Sequence, residues 1–334
     1  MKGIQVNRFG GSEVLEYKEL PDPVPGSDQV LIQVRGASVN FADTRARSGA
    51  YHLGKKPPFI PGLDIAGVVL EVGGDVTQVK KGDHVIAFPA SGSYAEKAVA
   101  SQELTFVIPK TLSFIKASAA ALVAGTVTHM LRHLARIEEH ESLLVHAAAG
   151  GVGTTALQVA KAFGISRVIG SIGSPWKDDH VRKMGADGVV DYSSETYAQD
   201  VNELTENKGV DVILNPIGGV TIERDLQCLA PFGRLVLFGE LGGAPGNLPP
   251  GGLYTANKSI LGSSFGHYRR FKPAVVRETM GAVIAMLAAG EVDVFVNKCF
   301  GLNEAPQAHQ FLEDRQSLGK VVLVPEEFYG QDSH

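Results

Sequence analysis

Residues 142–164 read SLLVHAAAGGVGTTALQVAKAFG, and the order of elements they imply decides the fold. Ser142 to His146 is an apolar run of strand length, and Thr154 to Ala162 carries small and apolar residues at helical spacing with no breaker. Between them, Ala148-Ala149-Gly150-Gly151-Val152-Gly153 follows the spacing G-x-G-x-x-G, with alanine at the first glycine and the other two kept. The middle glycine of such a turn lets backbone approach a pyrophosphate, and the last lets the helix pack on the strand. The helix N-terminus offers unpaired N–H groups and the positive end of its dipole to an anion. Gly150, Gly151, Val152 and Gly153 are therefore candidate contacts to a dinucleotide.

Outward from this turn the pattern alternates. Strands are expected at Arg167 to Gly170, Gly188 to Val190, Val210 to Leu214 and Arg234 to Phe238, with helices at Trp176 to Met184, Glu195 to Thr205 and Val220 to Leu229. That rhythm predicts a parallel sheet. Ser259 to Ser263 reads as one more strand, Phe271 to Ala289 as a long helix, and Gly319 to Pro325 as a final strand that rejoins the first part of the chain. Before the turn, Met1 to about Val107 is a series of short apolar or alternating runs separated by proline, glycine and aspartate, and so β-rich. Ser113 to Arg136 then becomes helical, where the chain changes domain.

Composition sets the limits. A chain of 334 residues, 44% hydrophobic and 20% charged, with 39 glycines, suits an α/β protein of two domains. Its net charge of −5 gives no general attraction to nucleic acid or an anionic membrane, so small molecules are the expected partners. Cys228 and Cys299 are the two cysteines, too few for a disulfide framework or a cysteine-rich zinc site, and a reducing cytoplasm fits. The N-terminus lacks a signal-type apolar region, and no apolar run is expected to span a bilayer.

Five further stretches carry a resemblance together with the turn Ala147 to Gly153: Gly10-Gly11-Ser12-Glu13-Val14-Leu15, Val39-Asn40-Phe41-Ala42-Asp43-Thr44, Arg47-Ser48-Gly49-Ala50-Tyr51, Ile60-Pro61-Gly62-Leu63-Asp64-Ile65-Ala66-Gly67 and Lys81-Gly82-Asp83-His84-Val85. Together they resemble the zinc-free quinone oxidoreductase branch of the medium-chain dehydrogenase/reductase superfamily over nearly the whole chain. The resemblance implies a doubly wound Rossmann sheet, residues 123–266, inserted into a β-rich GroES-like catalytic domain, residues 1–122 and 267–334. It also implies an active cleft between the two and a homodimer; an open apolar edge at Ser259 to Ser263 would supply the pairing surface.

Zinc alcohol dehydrogenases of this superfamily would have a cysteine near Asn40, a His-Glu pair near Leu63-Asp64 and a cysteine-rich loop near Gly92, none of which is present. His129 and His133 stand at i, i+4 on one helix but lack a third ligand, so no metal is expected there. Without a Lewis acid an easier hydride acceptor is implied: a quinone or an α,β-unsaturated carbonyl, which spreads its own developing charge.

Asn40, Tyr51 and Thr126 match family positions around nicotinamide and substrate. Asn40 would donate an amide N–H to the substrate oxygen; Tyr51 would donate a proton or serve as an aromatic lid; Asp43 would orient its loop and Arg45 would be solvated. No carboxylate follows the second core strand to accept a ribose 2′-hydroxyl, whereas Ser174, Lys177 and later Tyr192 could cradle a 2′-phosphate, with Arg315 a second cation. The expected cofactor is NADPH. Asn215, Phe238, Gly239 and Phe265 fall in loops that match the cofactor groove, although the family often has Asp-Ser where Asn215-Pro216 stands.

Two other readings remain. A 2-enoyl thioester reductase would use Arg269-Arg270-Phe271-Lys272 for a phosphorylated carrier arm, and a non-catalytic relative would keep the fold for nucleotide or RNA binding.

Overall fold

The computed structural model describes residues 1–51, 55–90, 92–242 and 250–330, the side chain of Pro250 excepted. Two compact units divide it, Met1–Gly125 with Gly266–His334, and Thr126–Phe265.

The first unit opens with a hairpin of β1 (Lys2–Val6) and β2 (Leu15–Glu19), paired from Lys2↔Glu19 to Val6↔Leu15. Its larger sheet is built on β3 (Gln29–Val39), where Val30, Ile32 and Val34 alternate into the core. After β3 comes the short helix α1 (Phe41–Arg47), then β4 (Ile65–Val72), β5 (His84–Ala87), β6 (Lys97–Ser101) and β7 (Thr105–Val107).

Helix α2 (Phe114–His129) carries the chain into the second unit and continues as a π-helical segment, Met130–Ala135, which ends where Arg136 turns left-handed at φ 50°. This corrects the expectation that nothing is apolar enough to span a membrane. Phe114–Ala135 has 22 residues of mean hydropathy 1.4, but 78% of its apolar window is buried inside the protein, as in a core helix.

The second unit contains β8 (Ser142–Val145), α3 (Gly151–Ala162), β9 (Arg167–Ile172), α4 (Asp178–Lys183), β10 (Gly188–Asp191), α5 (Tyr197–Leu204), β11 (Val210–Asn215), α6 (Thr221–Cys228), β12 (Leu229–Leu237), α7 (Pro250–Tyr254) and β13 (Ser259–Gly262). Its six strands are all parallel in the order β10-β9-β8-β11-β12-β13. This is the doubly wound order, which reverses direction between β8 and β11, and ligands gather beyond the strand C-termini at such a point. Leu144, Ile169, Ile213 and Leu235 form its core with Val201 and Ile222 from the covering helices.

The tail returns to the first unit through α8 (Phe265–Phe271), α9 (Pro273–Ala289), β14 (Val296–Gly301), α10 (Ala305–Glu313) and β15 (Lys320–Val324). The long helix expected from Phe271 to Ala289 is α9, which begins two residues later, after the separate short helix α8. Lys272 leaves helical geometry at φ −139° and ψ 56°, and Pro273 starts α9 where its missing N–H costs nothing. β15 lies antiparallel to β3, with Val321 opposite Val39 and Leu323 opposite Ala37, so the last strand brings Lys320 beside Asn40.

Candidate functional site

The nucleotide-type turn is built by close approach. Ala147 takes a left-handed conformation at φ 50°, Gly150 caps α3, and the helix begins at Gly151. A Cβ on Gly153 would lie 2.4 Å from the Ala147 carbonyl oxygen and 2.5 Å from Ala148 Cα, so only glycine lets the helix sit on the turn. At Gly150 the nearest such atom would be 3.4 Å away. The first turn of α3 presents N–H groups with no intrahelical acceptor.

Beneath this turn lies a buried network that the sequence alone did not reveal. Asp225 on α6 is fully buried; it meets His146 Nε2 at 2.8 Å and accepts from the Tyr197 hydroxyl and from Asn215 Nδ2, the last at 2.5 Å. His146 Nδ1 meets Ser171 Oγ at 2.6 Å, and the Ser171 carbonyl accepts the Ala148 N–H at 2.9 Å. Asn215 Oδ1 in turn accepts the N–H groups of Ile217 and Gly218 at 2.7 and 2.9 Å. One carboxylate thus ties together the glycine turn, the end of β9 and the loop after β11. Burial, and then Asp225, push the Tyr197 hydroxyl far above its ordinary range and the Cys228 thiol up to about 12. An amide at Asn215 suits this packing, since a second carboxylate there would face Asp225.

The remaining candidates of this unit fall at the same strand ends. Phe238 N–H donates to the Asn215 carbonyl at 3.1 Å, and a Cβ on Gly239 would lie 2.7 Å from the Pro216 carbonyl. Phe265 is buried, its ring 5.8 Å from that of His129. Ser174 follows β9 and Tyr192 follows β10; the Tyr192 N–H donates to Ile172, and its hydroxyl would lie 2.4 Å from a Cβ on Gly173. The segment expected as one helix from Trp176 begins as a 3-10 turn, Pro175–Lys177, which makes Lys177 the cap of α4, with its ammonium 5.0 Å from the Trp176 ring. The first acid beyond, Asp178, is paired with Arg182 at 2.6 Å. Thr126 is half-buried on α2, and Arg315 is exposed in the first unit at φ 57°, just past α10.

The rings of His129 and His133 stack at 5.3 Å, and burial followed by the His133 charge lowers the His129 pKa to about 4.

In the first unit Asn40 is 6% exposed, and its amide is largely committed. Nδ2 donates to Asp64 Oδ1 at 2.7 Å, while Oδ1 accepts from Lys320 Nζ at 2.6 Å. The second N–H of Asn40 has only longer contacts, 3.3 and 3.4 Å, to Ser38. Asp64 also accepts from Ser38 Oγ at 2.9 Å and from the Leu122 N–H at 3.0 Å. Burial raises the Asp64 pKa against the pull of Lys320, and burial lowers that of Lys320 against the pull of Asp64 and Asp43.

Asp43 sits at the third position of α1, and its Oδ2 accepts the Asn40 N–H at 2.8 Å and the Tyr94 hydroxyl at 3.1 Å. Burial, opposed by the Asn40 N–H, raises its pKa to about 7. Tyr51 is half-buried nearby; burial raises its pKa, with Arg269 opposing and Asp43 adding to the shift. Arg45 is exposed.

This donor set does not fit zinc. An amide, a leucine and a carboxylate already taken up by Ser38, Asn40 and the Leu122 N–H offer no soft or imidazole triad, and no group of three or more His, Cys, Asp or Glu suited to a metal occurs among the described residues.

Residues 26–111 match the alcohol dehydrogenase GroES-like domain, and residues 151–305 match the zinc-binding dehydrogenase family. The chain is 36% identical over 330 residues to the quinone oxidoreductase of Pseudomonas aeruginosa, covering 97% of this chain and 99% of that protein. It belongs to the quinone oxidoreductase branch of the medium-chain dehydrogenase/reductase superfamily. The Sus scrofa quinone oxidoreductase is 33% identical over 327 residues, 97% of this chain and 98% of that one. Among solved structures, Escherichia coli quinone oxidoreductase complexed with NADPH superposes with a TM-score of 0.90 at 32% identity, over 97% of this chain and 100% of that one. The Pseudomonas syringae quinone oxidoreductase gives 0.89 at 34% identity, over 97% and 99%.

Proposed function

We propose that the protein is an NADPH-dependent reductase of quinones or activated alkenes that works by direct hydride transfer without zinc. The observation that carries the reaction class is Lys320 Nζ on Asn40 Oδ1 at 2.6 Å, a buried ammonium where related enzymes hold a metal ligand. An acceptor reduced there must delocalise its own charge, as quinones and enones do. Choice of NADPH is supported by the E. coli relative solved with it and by Ser174, Lys177 and Tyr192 gathered at the ends of β9 and β10, with Arg315 as a further candidate.

In this reading Gly150, Gly151, Val152 and Gly153 hold the pyrophosphate, and Asn215, Phe238, Gly239 and Phe265 line the cofactor groove. The cofactor supplies the hydride, Asn40, Tyr51 and Thr126 attend the substrate, and Lys320 holds Asn40 in one orientation. The thioester alternative is weakened because Arg269 donates to the Leu63 carbonyl at 3.2 Å and lies 4.9 Å from the Phe88 ring, so it is not a free member of a basic channel. We further read the protein as cytoplasmic and homodimeric, pairing through β13, which ends the six-stranded sheet. A monomer by light scattering would contradict the dimer.

The deciding experiment is a panel of quinones, enones and a CoA enoyl thioester, offered with NADPH or NADH and a chelator. Quinone- or enone-dependent oxidation of NADPH in the chelator's presence is expected. Turnover of the thioester alone, or activity abolished by chelation with zinc found by elemental analysis, would overturn the reading, and tight NADPH binding with no oxidation would favour a binding protein.

A further inference from the structure

The corner beyond β9 sets an exposed aromatic ring beside a cation. Trp176, the only tryptophan of the chain, is 58% exposed, and the Lys177 ammonium lies 5.0 Å from its ring centroid, within cation–π range. The turn that carries both is tightly made. Ser174 is extended at φ −157°, Pro175 opens the 3-10 turn with a fixed φ, and the Lys177 N–H closes it on the Ser174 carbonyl at 3.2 Å. The Tyr192 hydroxyl lies against Gly173 at the start of this corner, 2.4 Å from where a Cβ would be.

An aromatic partner differs from an acidic one in what it leaves behind. A carboxylate beside an ammonium cancels its charge, whereas a ring face attracts the ammonium through its quadrupole and leaves the charge to act on an incoming anion. We propose that Trp176 is a positioning residue for cofactor choice, its ring holding the Lys177 ammonium at the end of β9 to meet the 2′-phosphate of NADPH. The proposal rests on the NADPH reading above.

The ring acts through the lysine. A lysine side chain in water spreads over many rotamers and must give that freedom up to bind, so a contact that restricts it beforehand lowers the cost of binding. A ring face attracts the charge as a whole rather than one N–H, and is therefore compatible with a phosphate on the other side of the ammonium. At an exposed site such a contact is worth about twofold to fivefold in affinity. NADH carries a hydroxyl at the 2′ position and gains nothing from it.

The positive charge at this corner comes from lysine. Burial, then Lys183 and Lys177, lowers the His180 pKa and keeps that imidazole neutral at neutral pH, while Arg182 is paired with Asp178 at 2.6 Å. Lys177 stands out in the sequence as a candidate, but its neighbour does not. In the helix expected from Trp176, two successive side chains would point apart, and the 3-10 turn is what brings ring and ammonium together.

The test is calorimetric titration of the full chain with adenosine 2′,5′-bisphosphate, which carries adenine and the 2′-phosphate without nicotinamide, and with adenosine 5′-monophosphate, which lacks the 2′-phosphate. Wild type should bind the bisphosphate more tightly. Trp176→Leu should weaken the bisphosphate about twofold to fivefold and leave the monophosphate unchanged, and Trp176→Phe, which keeps a ring, should retain most of the wild-type affinity. Added to Lys177→Ala, Trp176→Leu should change neither affinity further. Equal weakening of both ligands by Trp176→Leu would make the ring a platform for adenine, and a loss that persists beside Lys177→Ala would show that it does not act through the lysine; either result overturns the proposal. A wild type that binds the two ligands equally sinks the NADPH reading, and this role with it; a wild type that discriminates between them but is matched by Trp176→Leu sinks the positioning role alone.

Discussion

Asp225 in the second unit and Asp43 in the first are both buried aspartates at the hub of a polar network, yet they are satisfied differently. Both oxygens of Asp225 have partners, His146 and Tyr197 on one and Asn215 on the other, and through them the carboxylate fixes backbone in three loops. Asp43 has its donors on Oδ2 and none on Oδ1. A complete network holds the loops it joins still, whereas a buried oxygen without a partner makes the charged form of its carboxyl costly. The carboxylate of the second unit serves the candidate nucleotide loops, and that of the first carries a raised pKa from its burial.

The comparison breaks first at its centre. Asp225→Leu would strand the donors of His146, Tyr197 and Asn215; at about 1–3 kcal/mol for each unsatisfied group the expected loss is on the order of 5 kcal/mol. Denaturant unfolding checks it, and a loss under about 1 kcal/mol would show that the loops hold without the carboxylate. Lys320→Met leaves Asp64 without its buried cation and Asn40 Oδ1 without its donor, and should cost about 3–5 kcal/mol in the same experiment.

The contrast is sharpened by pH. The Asp43 pKa is raised from 3.8 to about 7, so its contribution to folding is full below about pH 4 and is lost as pH rises through about 7. His309 works in the opposite sense: lowered to about 3, it contributes stability fully above its unfolded value of 6.5 and loses it as pH falls. Asp43→Asn should therefore gain stability relative to wild type as pH is raised from 5 to 8, by thermal melts. An unchanged difference would mean that the carboxyl is already ionised at the lower pH.

Much of the second unit was legible in the sequence, because its signals are local. Glycine spacing, strand-length apolar runs and helical periodicity each depend on residues a few positions apart, so the six parallel strands could be read to within a few residues. Boundaries shifted where short-range geometry intervened, as at Pro273, which starts α9 two residues after the expected Phe271, and the short helix α8 before it was not foreseen. The networks were hidden because their members are far apart: Asn40 meets Lys320 only once β15 returns to pair with β3, 280 positions later. The same contact holds the Asn40 carbonyl oxygen, which local sequence could not show.

The smallest effect concerns the cofactor. Lys177→Ala should weaken NADPH binding about tenfold to a hundredfold, one charge-assisted contact of roughly 1.5–3 kcal/mol, and leave NADH nearly unchanged, by fluorescence quenching. Equal losses for both would make Lys177 a solvated residue that only accompanies Trp176.

The most direct test of the whole account follows a deuterium placed at C4 of the nicotinamide, on the face that is transferred, in a single turnover with an enone and a chelator present. Direct hydride transfer from NADPH without zinc predicts one deuterium on the β-carbon of the product for each NADPH oxidised, with the second hydrogen, at the α-carbon, coming from solvent. Deuterium washed into water, or NADPH bound and left unoxidised, would contradict it.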